Sequence, residues 1–184
     1  MRVISGKYKG IKLASPKGEV RPTTDLVKGS LFSVLDSRGL ISGAVCLDLF
    51  SGSGALGIEA ISRGAKQCVF CDIDTKNVRL NLDKLKLTER VVCADFRRAL
   101  RLLREQKFDI IFCDPPYKTD FGEEAYKLIC RYGMAEGGVV VLEHASEKDL
   151  KNIPESSIID HRVFGASAFG ILRGKSESDF CGNV

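Results

Sequence analysis

From residue 44 onward the chain alternates between two hydrophobic rhythms. Short, nearly continuous apolar runs at 44–49, 67–72, 90–93, 108–113 and 138–143 have the length of buried strands. Between them, at 55–63, 75–86, 97–105 and 121–133, apolar residues recur at helical spacing. Such alternation predicts βαβ units and a parallel sheet covered by helices. The last two runs, 157–163 and 168–173, have Gly165 but no helix between them, which predicts an antiparallel pair at one edge. Upstream, residues 2–13 read as two short strands around Gly6 or Gly10. Pro22, with Thr23 or Thr24 as N-cap, then opens a helix over about 24–36 whose apolar stripe is Leu26, Val27, Ser30, Leu31, Val34 and Leu35. The expected fold is a doubly wound, Rossmann-like α/β domain. Its sheet has seven strands, mostly parallel, with one antiparallel edge strand.

Composition adds exclusions. At 184 residues, 44% hydrophobic and 28% charged, the chain has globular composition and is long enough to fold without a disulfide or metal staple. No apolar stretch approaches the ~18 residues of a membrane span, and the first residues lack the apolar core of a secretion signal. The seven cysteines (46, 68, 71, 93, 113, 130 and 181) are odd in number and mostly inside apolar runs, as expected of free thiols in a reducing cytoplasm. Cys68 and Cys71 have CxxC spacing but lie in a strand. Residues three apart there point to opposite faces, so no metal is expected. His144 and His161 have no acidic or cysteine partner at ligand spacing.

Charge is unevenly placed. Residues 1–30 carry a net +5 and the remaining residues a net −1. A basic segment on a near-neutral body suits a polyanion partner, and equally suits a solvated, lysine-rich edge hairpin. A second basic group, Arg97, Arg98, Arg101 and Arg104, falls on one predicted helix.

Two motifs carry chemistry. Gly52, Gly54 and Gly57 stand in GxGxxG spacing between the first parallel strand and its helix, within Asp48-Leu49-Phe50-Ser51-Gly52-Ser53-Gly54. Glycine there permits a tight turn and a close ligand approach. Asp72, at the end of the second strand and followed by Ile73, is placed to accept both ribose hydroxyls of a nucleoside cofactor. Asp48 suits a cationic cofactor such as S-adenosylmethionine, or simply a hydrogen bond to the loop backbone. The second motif, Asp114-Pro115-Pro116-Tyr117, follows the fourth parallel strand. Asp114 and the Pro115 carbonyl can both accept from one exocyclic amine, turning its lone pair toward an electrophilic methyl, and Tyr117 offers a stacking face. Asp95 and Phe96, after the third strand, suit an adenine amine and ring, or an N-cap for the next helix.

With both motifs in one chain, the sequence resembles the class I, S-adenosylmethionine-dependent amino-methyltransferases. It is most similar to the RsmD family, the bacterial 16S ribosomal RNA guanine-N2 methyltransferases. The likeness runs through residues 2–173: Arg2-Val3-Ile4-Ser5-Gly6, Arg21-Pro22-Thr23-Thr24-Asp25, the glycine loop with Ile58-Glu59-Ala60, Ser62-Arg63-Gly64-Ala65, and Asp114–Tyr117. The resemblance implies a basic hairpin and cofactor lid over 1–30, a methyltransferase domain over 31–175 and a flexible tail over 176–184. It implies S-adenosylmethionine held by Thr23, Asp48, Phe50, Ser51, Gly52, Ser53, Gly54, Asp72, Ile73, Asp95 and Phe96. It also implies ribosomal RNA, within a small-subunit particle, held by Arg2, Lys7, Lys9, Lys12 and Arg21 and acted on by a cytoplasmic monomer. Leu26, Gly29 and Ser33 stand where the family commonly has Arg, an acid and Asn. The alternative activity is adenine-N6 methylation of DNA or RNA, against which stands the lack of any duplex-reading insertion. A nicotinamide oxidoreductase would leave Asp-Pro-Pro-Tyr without a role, and a silent RNA-binding module would leave Asp114 and the glycines without one.

Overall fold

A computed structural model describes residues 1–15, 25–116, 119–147, 150 and 153–175. The expected Arg21, Thr23 and Tyr117, and the tail from Ser176, lie outside the described residues. The elements run α1 (Asp25–Ser37), β1 (Val45–Leu49), α2 (Ala55–Ser62), β2 (Gln67–Asp72), α3 (Lys76–Leu85), β3 (Val91–Cys93), α4 (Phe96–Leu103), β4 (Ile110–Cys113), α5 (Phe121–Arg131), β5 (Val139–Ala145), a 3₁₀ turn (Glu155–Ser157), β6 (Ile158–Phe164) and β7 (Ser167–Arg173).

They form one seven-stranded sheet in the order β3-β2-β1-β4-β5-β7-β6. The five strands β1 to β5 pair in parallel, while β7 pairs antiparallel with both β5 and β6. The expected antiparallel pair is therefore at one edge, with β7 inserted beside β5 and β6 outermost. Strand order reverses between β1 and β4, which makes the carboxyl edge at that crevice the place where such sheets bind ligands.

Each central strand is buried on both faces and feeds two cores. Cys46, Cys68, Phe70, Ile110, Phe112, Val139 and Val141 pack on the face of α1 and α2. Leu47, Val69, Cys71, Ile111, Cys113, Val140 and Leu142 pack on the face of α4 and α5. Cys68 and Cys71 thus point to opposite cores, as strand geometry requires, and burial pushes both thiols up. Among the described residues no group of His, Cys, Asp or Glu could hold a metal ion, and no helix is long and apolar enough to cross a membrane.

The N-terminal segment is a hairpin closed by one bridge between Arg2 and Lys12. It belongs to the core: Val3 and Leu13 are buried with α1 and α2. Its attachment is polar as well. Lys28 of α1 and Glu59 of α2 form a fully buried ion pair at 3.2 Å. The Lys28 ammonium donates to the Arg2 carbonyl at 2.6 Å, and Glu59 accepts from the Ile4 and Ser5 N–H groups at 2.8 and 3.0 Å. Burial pulls the Lys28 ammonium below its ordinary value, and Glu59 partly restores it. Gly6 (φ 77°) lies so close to the α2 terminus that a Cβ would sit 1.8 Å from the Ser62 carbonyl oxygen.

Candidate active site

The strand registers bring five positions into one layer at the carboxyl edge. Leu49 is level with Cys71 and with Cys113, Asp72 with Cys93, and Cys113 with Leu142. One step further along lie Cys93, Asp72, Phe50, Asp114 and Glu143, in that order across the sheet. With about 4.8 Å between strands, Asp72 and Asp114 flank the switch point about 10 Å apart. That separation leaves room for a cofactor on one side and its methyl acceptor on the other.

The glycine loop starts at Phe50, whose φ of 67° is rare for a bulky side chain and turns the chain sharply out of β1. Its three glycines do different work. A Cβ on Gly54 (φ 78°) would meet Val78 at 2.7 Å, and one on Gly57 would meet Phe70 at 2.4 Å, so these two allow α2 to pack tightly on β2 and α3. A Cβ on Gly52 (φ 51°) would meet nothing within 4 Å. This glycine faces open space, where a ligand can approach the backbone.

Asp72 holds the loop from below: its Oδ2 accepts from Gly52 N–H at 2.7 Å and its Oδ1 from Asp74 N–H at 3.1 Å. Ile73 beside it is 75% exposed, an apolar surface with no protein neighbour to cover it. Asp48 is buried and accepts from Gly57 N–H at 2.9 Å, the loop-holding arrangement. Desolvation, helped by nearby Asp72 and opposed by the Gly57 hydrogen bond, pushes its carboxyl up to about 8. Ser51 contributes a buried hydroxyl without a hydrogen-bond partner, and Ser53 is buried alongside.

Asp95 caps α4: its Oδ1 accepts from Arg97 and Arg98 N–H at 3.0 and 3.3 Å. Phe96 is buried and packs between Phe50 (5.1 Å between ring centroids) and Phe121 (5.2 Å). Phe96 is therefore part of a ring cluster at the edge of the α4/α5 core. Arg97 lies over Phe96 and Phe121 and makes a two-pronged pair with Glu124, which removes one cation from the expected basic face of α4.

On the other side of the switch point, Asp114 leaves the end of β4 half-buried, followed by buried Pro115 and exposed Pro116. Thr119 N–H and its hydroxyl bond the Pro116 carbonyl at 3.1 and 2.7 Å, closing a turn into α5. Asp114 thus follows β4 at the carboxyl edge, beside the end of β1. The basic hairpin exposes Lys7, Lys9 and Lys12, whereas Arg2 is paired with Asp25 at 2.8 Å.

Sequence reasoning missed Asn81. This α3 side chain is buried and spans residue 14 and the glycine loop, bonding both the N–H and carbonyl of Ala14 and donating to the Ser53 carbonyl at 2.8 Å. A buried Asn in an apolar helix stripe was the available signal. His144 and His161, on β5 and β6, stack on one another with their Nε2 atoms 3.1 Å apart. Of the unusual α1 residues, Leu26 is 71% exposed, a Cβ on Gly29 would meet nothing, and Ser33 bonds the Gly29 carbonyl.

A sheet of this order, with an open glycine turn after β1 and Asp114-Pro115-Pro116 after the adjacent β4, is that of a class I methyltransferase. The family described as Conserved hypothetical protein 95 matches residues 1–173. YlbH of Bacillus subtilis is 45% identical over 159 residues, covering 82% of this chain and 85% of that protein. Ribosomal RNA small subunit methyltransferase D of Escherichia coli is 32% identical over 189 residues, covering 97% and 94%. Among solved structures, yhhF from Escherichia coli superimposes with a TM-score of 0.79 at 32% identity, covering 96% of this chain and 99% of that one. The chain belongs to this family of RsmD-type methyltransferases.

Proposed function

We propose that this methyltransferase moves a methyl group from S-adenosylmethionine to the exocyclic N2 of a guanine in small-subunit ribosomal RNA. The observation that carries the reading is the open Gly52 turn after β1 and Asp114-Pro115 after β4, adjacent strands at the switch point. Relatives named ribosomal RNA small subunit methyltransferase D support the RNA substrate.

The residues present fit the cofactor. The open face of Gly52 admits a ligand to the backbone, and the orphaned Ser51 hydroxyl has hydrogen-bonding capacity to spare. Asp72 offers its remaining lone pairs to a ribose, and Ile73 an apolar surface to an adenine. When bound, the cofactor supplies an electrophilic methyl. This chain supplies alignment, a term worth up to ~7–11 kcal/mol for well-oriented pairs. A guanine leaves its stack and enters beside Asp114. Asp114 and the Pro115 carbonyl accept hydrogen bonds from the two N2–H groups, which directs the lone pair toward the cofactor; the one proton that the methyl replaces leaves by way of Asp114 to solvent.

The test is incubation with tritiated S-adenosylmethionine and small-subunit particles from cells lacking the enzyme, followed by nucleoside analysis. Label in N2-methylguanosine is expected; label in N6-methyladenosine would transfer the reading to an adenine-N6 enzyme.

Two expected results follow from the same site. Asp72→Ala weakens S-adenosylmethionine binding by about tenfold or more, because a charge-assisted bond contributes ~1.5–3 kcal/mol and the Gly52 turn loses its anchor. Calorimetric titration checks this, and an unchanged affinity would pass the ribose role to Asp74. Replacing Lys7, Lys9 and Lys12 together with Ala lowers RNA affinity and leaves cofactor binding alone. Each lost phosphate contact flattens the slope of log affinity against log salt by ~0.7–0.9, so roughly two to three units are expected for three contacts. A salt series with an unaltered slope would leave the hairpin as a solvated edge and point to Arg98 and Arg101 instead.

A further inference from the structure

We infer that Glu143 is the residue that makes the site specific for guanine, by accepting the hydrogen bond of the base's N1–H while Asp114 holds N2. The inference rests on the methyl-acceptor reading just given and identifies what distinguishes guanine from adenine within it.

The placement follows from the register of the two strands. Cys113 of β4 is level with Leu142 of β5, so the next residues, Asp114 and Glu143, stand side by side on adjacent parallel strands. Phe112 and Val141 face the α1/α2 core while Cys113 and Leu142 face the α4/α5 core. Alternation therefore directs Asp114 and Glu143 to the same face. Glu143 is 6% exposed, so its side chain is held within the fold rather than in solvent. A buried carboxylate in the core of a sheet is costly unless it has partners, and Glu143 does interact within the protein. Its position at the carboxyl edge, one strand beyond Asp114 and on the side away from the cofactor loop, is where the rest of the base must lie.

The chemistry of the two purines decides the consequence. On its Watson–Crick edge guanine presents N2–H and N1–H, two neighbouring donor groups. Adenine presents an N6 amine beside N1, an acceptor. A pair of carboxylates on adjacent strands matches two donor groups. Against adenine the second carboxylate would face a lone pair, and a site built to accept a hydrogen bond rejects a base that cannot donate one far more strongly than an apolar pocket rejects a poor fit. Glu143 transfers no proton in this arrangement; it orients and selects.

Glu143→Leu and Glu143→Gln test the inference beside Asp114→Ala, all on small-subunit particles from cells lacking the enzyme, with tritiated S-adenosylmethionine as probe. Glu143→Leu removes the acceptor and is expected to lower kcat/KM by about 30-fold or more. Cofactor affinity is expected to stay near that of the parent. Glu143→Gln keeps an acceptor without its charge and is expected to lose several-fold, with partial rescue relative to Leu. A Leu variant that is folded and retains kcat/KM within threefold, still making N2-methylguanosine, overturns the role. If Glu143→Leu does not fold, a Gln variant equal to the parent in kcat/KM overturns it instead. Failure of the underlying reading looks different: Asp114→Ala would then stay active, or the parent would label adenine.

Discussion

Asp114→Ala is expected to abolish methyl transfer while leaving S-adenosylmethionine affinity within a few-fold of the parent. The two effects separate because Asp114 leaves β4 on the acceptor side of the switch point, two strands from Asp72 and its hydrogen bond to Gly52. The glycine loop has supports of its own: Gly52 is held by Asp72, Gly57 by Asp48 and Ser53 by Asn81. An exocyclic amine is a poor nucleophile, its lone pair delocalised into the base. Without Asp114 one of its protons loses a fixed acceptor and the lone pair is no longer directed. Losing one preorganised group of this kind costs about 10²–10³-fold in turnover. Single-turnover methylation measured beside calorimetric cofactor binding gives both quantities. Activity above a tenth of the parent's would remove Asp114 from the mechanism.

Glu59→Leu is expected to be the most destabilising single change among those considered. It strands the fully buried Lys28 ammonium and takes the acceptor from the Ile4 and Ser5 N–H groups in one step. Breaking a buried pair by removing one partner typically costs ~3–5 kcal/mol. For a chain of this size that corresponds to a fall in melting temperature of roughly 6–20 °C. Lys28→Met with Glu59→Leu should recover a good part of the loss, because no charge is then left buried alone. The Ile4 and Ser5 donors stay unpaired, so recovery should be incomplete. Thermal melts of the two single variants and the double variant form the cycle; a Glu59→Leu variant melting with the parent would show that the pair carries no net weight. The same variant should release the hairpin that exposes Lys7, Lys9 and Lys12. RNA affinity should then fall with stability, whereas the triple lysine variant lowers affinity alone.

The local readings from sequence and the structure agree where the physics is local. β2 runs Gln67–Asp72 over the predicted 67–72, and α2 runs Ala55–Ser62 within the predicted 55–63. A fully buried strand shows as an unbroken apolar run, and a packed helix as a 3.6-residue stripe, whatever their neighbours are. The glycine turn and the Asp-Pro-Pro turn were legible for the same reason, since backbone conformation at Gly and Pro is set by the residue itself.

Other contacts needed the folded chain to show them. Asp95 fitted an adenine or a helix cap, and its Oδ1 accepts from two α4 N–H groups as a cap does. Asp48 fitted a cation or the loop backbone, and its Oδ2 accepts from Gly57 N–H. The hairpin fitted a loose edge, but its anchor is a Lys and a Glu 31 positions apart, which charge counting along the chain cannot pair. Periodicity assigns each residue to a face, yet it carries no information on which strand lies beside which. That order, with β1 between β2 and β4 and β5 beyond, places Glu143 next to Asp114, and only long-range packing could set it.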